Sequence, residues 1–411
     1  MAQLNLTLTQ EEILLLLEKD RDNAFKKLLE SSLNSILKAE SSAQLKAEPY
    51  ERSEERTDSR NGTRERALTT RIGKITLEIP RHRNVPFKSL IFDNYSHSES
   101  ALISVMAEMV VQGVSTRKVS TVMEALCGTS YSKSTVSEVC KELDKEVKAF
   151  RERKLTGSYP FVLVDATYFK VRENHRVTGK ALMVAIGMTL TGEREILGFG
   201  DYDNESKETW QEFFKSLKVR GLSGVRMITS DAHEGICYAV MKEFPEVPWQ
   251  RCQTHFSRNI LDHAPKQYQT AIHDELTAMY NCKTITEARK KRDSIMAEYG
   301  DVAEKAMQCL DDGFESAMTV MILPESLRRQ FRTTNYLERL NGELKRRSNV
   351  IGIFPNTASL CRLMGSVLID QNAVYTSKRT INFRREDLAI LENLVPLLKQ
   401  AALEQHKLIA A

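Results

Sequence analysis

The chain has 411 residues, 28% of them charged, and a formal net charge of only +4. That length exceeds what one hydrophobic core serves, so several domains are expected, and any case for nucleic acid must rest on where the basic residues lie. Seven scattered cysteines form no disulfide framework, no run reaches membrane-spanning length and the N-terminus lacks a signal pattern, which argues against secreted and membrane classes and for a reducing cytoplasm.

Residues 1–48 read as helix. Thr9-Gln10-Glu11-Glu12 places acids in a first turn, and Ile13, Leu16, Leu17, Phe25, Leu28, Leu29, Leu33, Ile36 and Leu37 supply an apolar stripe. Such a stripe packs on the body or pairs with another copy; pairing, and so a homodimer, is the expectation. Residues 49–99 read as a basic arm with a β element. Arg52, Arg56, Arg60, Arg64 and Arg66 alternate with acids and show no apolar periodicity, as in an exposed linker. Arg71 to Arg81 then alternates as a half-exposed strand does, followed by His82 and Arg83.

Residues 100–150 predict three short helices with tight glycine turns. The first runs from Ala101 to Val111 and stops at Gly113; the second follows Ser115 and ends at Gly128; the third opens at Ser132. Hydroxyls stand at the front of that third helix, where good helix formers are absent, so a helix-turn-helix DNA-binding unit is the preferred reading over plain three-helix packing. Lys133, Ser134, Thr135 and Ser137 would face a groove, and Arg117 with Lys118 would grip phosphate.

Four apolar residues, Phe161 to Val164, run straight into Asp165, and Tyr168 and Lys170 follow in alternation. The run fits a strand buried on both faces, where a carboxylate costs free energy unless something pairs with it. Ala181 to Leu190 and Glu193 to Tyr202 predict two more strands, joined at the turn pair Thr191-Gly192. Ser206 to Leu222 has Trp210, Phe213, Phe214 and Leu217 at helical spacing, and Val225 to Ser230 is a fourth short run ending in a second acid, Asp231. Strand, strand, strand, helix, strand, with acids on the first and fourth strands, is the order of a ribonuclease-H-like α/β core. In that order the two acids become neighbours and repel unless a divalent cation holds them.

Gly235 to Phe244 predicts a helix and Pro248 to Cys252 a fifth strand, so the first part of this core spans 158–256. Cys252-Gln253-Thr254-His255 lacks a second ligand pair for structural zinc. Cys252 and His255 either brace the active-site floor or bond a DNA phosphate, or else form a core cysteine beside a capping histidine. Residues 257–331 read as an all-helical insertion, 332–375 as the last part of the core and 376–411 as a helical tail. Asn335 opens the helix after the insertion. Glu338, Asn341 and Lys345 share one face of it, Glu343 is a rival acid beside Arg346 and Arg347, and Lys345 to Arg347 is a basic cluster.

These motifs resemble the Mutator-like family of bacterial insertion-sequence transposases, which carry three catalytic acids. The resemblance rests on Val164-Asp165-Ala166 with Tyr168 and Lys170, Ser230-Asp231-Ala232-His233-Glu234-Gly235, Arg251-Cys252-Gln253-Thr254-His255 and Thr334-Asn335-Tyr336-Leu337-Glu338-Arg339-Leu340-Asn341. Tyr50-Glu51-Arg52, Arg60-Asn61-Gly62, Gly73 and Pro80-Arg81 extend it into the arm. It implies Asp165, Asp231 and Glu338 as the catalytic acids; three such carboxylates suit Mg2+, with Mn2+ able to substitute, and His233, Cys252 and His255 are expected as active-site support. It further implies a transposase acting on double-stranded DNA at terminal inverted repeats and target sites, by hydrolysis and then transesterification. An inactive DNA-binding regulator on the same fold, or a structure-specific nuclease, is the alternative.

Overall fold

A computed structural model describes residues 21–51, 56–70, 73–89, 100–127, 132–141, 143–381, 383 and 385–410. The chain divides into two compact units, residues 1–142 and 143–411. The helix start expected at Thr9 and the turn at Gly128 lie outside the described residues. Among the described residues no helix is long and apolar enough to cross a membrane.

In the first unit, helix α1 (Arg21–Leu45) precedes an antiparallel hairpin, β1 (Arg60–Thr70) and β2 (Gly73–His82). The expectation of a loose arm fails from Arg60 onward. That stretch lacks apolar alternation because it is one strand of a two-stranded ribbon, and only its last residues, Leu68, Thr69 and Thr70, are buried. The Arg60 guanidinium is spent inside the unit, donating to Ser42 Oγ and the Ala47 carbonyl at 2.9 and 2.7 Å. Leu29, Leu33 and Leu37 of the N-terminal stripe pack on Leu68, Ile75, Leu77 and Ile79. This part of the stripe meets the body of the chain, where pairing between copies had been the expectation.

Three further helices, α2 (Ser100–Val111), α3 (Thr116–Cys127) and α4 (Lys133–Cys140), share a core of Met106, Val119, Met123, Val136 and Cys140. Gly113 turns the chain at φ 87°, a left-handed backbone that favours glycine. Ser115 and Ser132 accept from the backbone N–H groups of Lys118 and Thr135 at 3.4 and 3.0 Å, capping α3 and α4.

The second unit opens with α5 (Leu143–Glu152) and is built on a five-stranded mixed sheet. Strands β3 (Phe161–Glu173), β4 (Arg176–Met188) and β5 (Arg194–Tyr202) form an antiparallel meander. After α6 (Lys207–Val219) the chain crosses over to β6 (Met227–Ser230), parallel to β3. After α7 (Glu234–Glu243) it adds β7 (Trp249–Arg251), parallel to β6. The spatial order is β5-β4-β3-β6-β7.

Even-numbered residues of β3 face α6 and α7, where Val162 and Val164 meet Trp210, Phe213, Phe214, Ile236 and Val240. Each such fully buried side chain contributes roughly 1.5–3 kcal/mol, which holds both crossover helices on this face. Odd-numbered residues face the other layer: Phe161 stacks on Phe331 at 3.7 Å between ring centroids, and Phe169 meets Phe354 edge-on. Asp165 belongs to this second face.

Between β7 and the next helix of that layer lies an all-helical block: α8 (Gln253–Asp262), α9 (Lys266–Tyr280), α10 (Ile285–Tyr299), α11 (Glu304–Met318), a 3-10 turn and α12 (Glu325–Phe331). The first four helices have their own core, with Phe256, Leu276, Ile295, Leu310 and Phe314 at 0% exposure. Then α13 (Asn335–Asn349) and α14 (Thr357–Thr376) return to the sheet, and α15 (Arg385–Asn393) and α16 (Val395–Ala410) close the unit. The β4–β5 turn needs its glycine: at φ 89°, a Cβ on Gly192 would fall 1.8 Å from the Ile381 carbonyl oxygen.

Candidate active site

The parallel pairing of β3 with β6 matches Phe161 to Met227, Val162 to Ile228 and Leu163 to Thr229. Continuing that register brings Asp165 opposite Asp231. Burial, with the Asp231 charge second, pushes the Asp165 carboxyl up to about 7. Its Oδ1 accepts from the Ala166 backbone N–H at 2.9 Å, and its Oδ2 accepts from Asn341 Nδ2 at 2.8 Å. Asp231 ends its strand in a tight turn in which the His233 N–H reaches its Oδ1 at 3.4 Å. His233 caps α7, with Nδ1 accepting from the Gly235 N–H at 3.2 Å.

The third acid arrives on α13. Thr334, fully buried, sits at the start of that helix and donates both its N–H and its hydroxyl to Cys252 Sγ, each at 3.3 Å. Cys252 is thus a bracket between the end of β7 and the start of α13. One turn on, Glu338 Oε1 lies 3.5 Å from His255 Nε2 and is buried with no hydrogen bond among the described residues. His255 is pushed up to about 9, first by the facing Cys252 sulfur and then by the charges of Asp165 and Glu338, against its own burial. Among the described residues its buried Nδ1 has no hydrogen-bond partner. Burial pushes the Cys252 thiol up, but His255 and Thr334 outweigh it and leave the thiol below its ordinary value. Glu343, on another side of α13, is clamped by Arg346 at 2.7 Å and by Arg347 at 2.7 Å, which holds it at about 2.

Glu205 is the residue that sequence reasoning missed. It precedes the capping box Ser206–Thr209 at the head of α6 and faces Asp231, His233 and the Tyr168 hydroxyl. Burial raises its carboxyl, the His233 charge lowers it and the Asp231 charge raises it again. A Cβ at Gly235 would stand 3.0 Å from the Glu205 carbonyl oxygen, so glycine lets this turn close on the first turn of α7. The signal was there in principle: an acid directly before a capped helix that leads into the Asp231 strand.

Among the described residues no three of His, Cys, Asp and Glu stand close enough together to hold a metal ion. Asp165, Asp231 and Glu338 reach the same end of the sheet without closing into one ligand set. The donor chemistry nevertheless suits a hard divalent cation: carboxylate oxygens, two of them opposed across neighbouring strands, and buried oxygens of Glu338 and Asn341 that lack any partner.

The positions expected to touch DNA separate into three groups. On the three-helix block Arg117, Lys118, Ser134, Thr135 and Ser137 are exposed, although Ser132 Oγ engages the hydroxyls of Ser134 and Thr135 at 2.7 and 2.8 Å. The side chain of Lys133 lies outside the described residues. On the outer half of β3 Tyr168 and Lys170 are exposed. On α13 Asn335 is exposed and accepts from Thr254 Oγ1 at 3.3 Å, and Lys345 and Arg346 face solvent. Arg347 does not extend outward with them: it is 7% exposed, because its Nε is drawn onto Glu343.

A family model described as Transposase, Mutator family, matches residues 1–377. The chain belongs to the Mutator family of transposases. It is 41% identical over 93% of its length, and 100% of the relative's, to the transposase for insertion sequence element IS256 in transposon Tn4001 of Staphylococcus aureus. It is 36% identical to the transposase for element ISRM5 of Rhizobium meliloti, over 92% of this chain and 95% of that one. With the transposase for element IS1081 of Mycobacterium tuberculosis it shares 38% identity, over 84% of each chain. The acids of both strands, the Cys252–His255 pair and the α13 segment all fall inside the span that this transposase family model covers.

Proposed function

We propose that this chain is an active transposase that binds the terminal inverted repeats of its insertion sequence, cleaves DNA at the element ends and joins the freed 3′ ends to target DNA. The observation that carries the reading is the register of β3 on β6, which sets Asp165 opposite Asp231 with α13 supplying Glu338 from the covering layer. In this reading the sheet is a ribonuclease-H-like core, α8 to α12 are its insertion, and α2 to α4 are a helix-turn-helix unit that recognises the ends. Magnesium, or manganese in its place, held by Asp165, Asp231 and Glu338 would supply activation of a water or 3′-hydroxyl and stabilisation of the leaving oxygen.

The chain's own residues do the rest. Cys252 fixes the start of α13 and so the depth at which Glu338 enters. His255 keeps a positive charge beside Glu338, which offsets part of the acidic repulsion. Lys345 on α13, and Tyr168 and Lys170 on the opposite face of β3, would hold the sugar-phosphate backbone. Strand joining forms one phosphorus–oxygen bond as another breaks, so it needs no energy source besides the DNA itself. Two ends must be cut together, for which a homodimer is the simplest assembly.

The test is Asp165→Asn and Asp231→Asn in a purified end-cleavage assay with magnesium. Each should retain binding to an end duplex within about threefold and lose at least ~10²-fold in cleavage, since shape survives and a metal-binding charge does not. Wild-type cleavage by either variant, or full cleavage in chelator, would refute the assignment. A wild-type chain that binds ends but never cuts would favour the inactive regulator.

A further inference from the structure

The chemistry above leaves Asn341 without a role. Its side chain is 7% exposed, on the face of α13 that meets β3. Nδ2 donates to Asp165 Oδ2 at 2.8 Å, while Oδ1 is buried and has no hydrogen-bond partner among the described residues. The other Asp165 oxygen accepts from the Ala166 N–H at 2.9 Å. The carboxylate is therefore tethered at both oxygens, once by its own strand and once by α13. A carboxylate torsion is broad when untethered, so the second tether removes rotation that the first leaves. Each oxygen offers about two acceptor directions, so each tether leaves one open and the pair fixes where it points.

The choice of an amide fits this arrangement. A carboxylate here would add charge to Asp165, Asp231 and Glu338, and a lysine would occupy the place of a cation. An amide donates without charge. Its unpaired Oδ1 is a buried acceptor of a kind that folded proteins rarely leave unexplained, and it lies beside the carboxylate whose ligand is in question.

We propose that Asn341 is a positioning residue for Asp165: Nδ2 aims the carboxylate at a divalent cation, and Oδ1 faces the space that the cation and its water shell take. The proposal rests on the metal-dependent function proposed above. It links the helix bearing Glu338 to the strand bearing Asp165 through a single side chain, so the depth of one acid and the aim of the other are set together.

The experiment uses the full chain. Manganese is titrated without DNA and followed by loss of the free-ion paramagnetic resonance signal, and end cleavage is measured against magnesium concentration. Asn341→Leu, close in shape, should weaken manganese binding by ~10–100-fold and move the magnesium midpoint upward by a similar factor. KM for the end duplex should stay within about twofold, and high magnesium should restore much of the rate. If Asn341→Leu does not fold, Asn341→Ser, too short to reach Asp165, is read by the same criteria. A folded variant with unchanged manganese affinity and magnesium midpoint overturns the proposal. Asp165→Asn run alongside separates the two readings: if it still binds manganese and cleaves, the metal site itself is wrong. If it is inactive while Asn341→Leu behaves as wild type, only the role of Asn341 falls.

Discussion

Glu338 and Glu343 sit five residues apart on one helix and meet opposite surroundings. Glu343 accepts from two guanidinium groups, one of them on the buried Arg347, so its charge is fully used within α13. Glu338 has a buried oxygen with no hydrogen-bond donor among the described residues, and His255 lies beside it. Glu338→Gln should therefore remove cleavage while leaving the melting temperature within a few degrees. Glu343→Gln should do the reverse, keeping the rate per folded molecule but losing ~1–3 kcal/mol of stability, because Arg347 loses a charged partner it cannot replace with water. Denaturant melts and end cleavage on both variants check this, and an active Glu338→Gln beside an inactive, folded Glu343→Gln would exchange the two roles. The acids on the strands were legible because each ends an apolar run, where a carboxylate stands out. Glu205 was passed over, since it follows the polar stretch Asp201-Tyr202-Asp203-Asn204, where one more acid carries little contrast. The burial of Arg347 was equally hidden: a run of three basic residues reads as a surface until one knows which of them the helix turns inward.

Helix-to-helix packing in the insertion depends on Gly313 of α11. A Cβ there would stand 2.3 Å from a ring carbon of Phe256 and 2.5 Å from Arg251 Nη1. Alanine would gain about 1 kcal/mol of helix propensity, but the overpacking costs ~1–3 kcal/mol, and both obstructing groups are packed. Gly313→Ala should thus lower stability, and a higher denaturation midpoint would show that α8 can yield. In the first unit Asp58 ties the segment before β1 to the chain after β2. Its oxygens accept from the backbone N–H groups of Val85, Asn84 and Ser59 and from the Asn84 amide, and the backbone donors, Val85 first, hold its carboxyl at about 2 against an ordinary 3.8. A carboxyl lowered in the fold stabilises fully above its unfolded value and loses that contribution as pH falls through 3.8 toward 2. Hydrogen exchange across β1 and β2 should show protection lost in that window in the wild type, and little pH dependence there in Asp58→Asn. The strands and helices of the second unit were readable because buried runs and amphipathic stripes have different periods. β1 was not, because a ribbon edge paired to one neighbour needs no apolar face, and its pairing with β2 is a property of two segments together.

At the scale of the whole molecule, 59 basic residues nearly cancel 55 acidic ones, so a long-range field gives little attraction to DNA. Affinity must come from patches in which basic side chains lack acidic partners. Arg117 and Lys118 at the head of α3 are exposed and fit such a patch. Contacts to phosphate release counterions and carry no sequence information, whereas hydroxyls facing base edges do the opposite. On α4, Ser132 already engages Ser134 and Thr135, so Ser137 is the exposed hydroxyl most free to read a base. The two kinds of residue should separate in one experiment. Replacing Arg117 and Lys118 together by alanine should weaken end duplex and random duplex alike and reduce the log–log salt slope by about 2. Ser137→Ala should leave the slope unchanged and narrow the preference for ends over random sequence. A Ser137→Ala variant with undiminished preference, beside an Arg117/Lys118 variant with an undiminished slope, would move end recognition away from α2 to α4. Recognition would then fall to Arg81 to Arg83, where Arg81 and His82 end the paired strand β2 and Arg83 follows it.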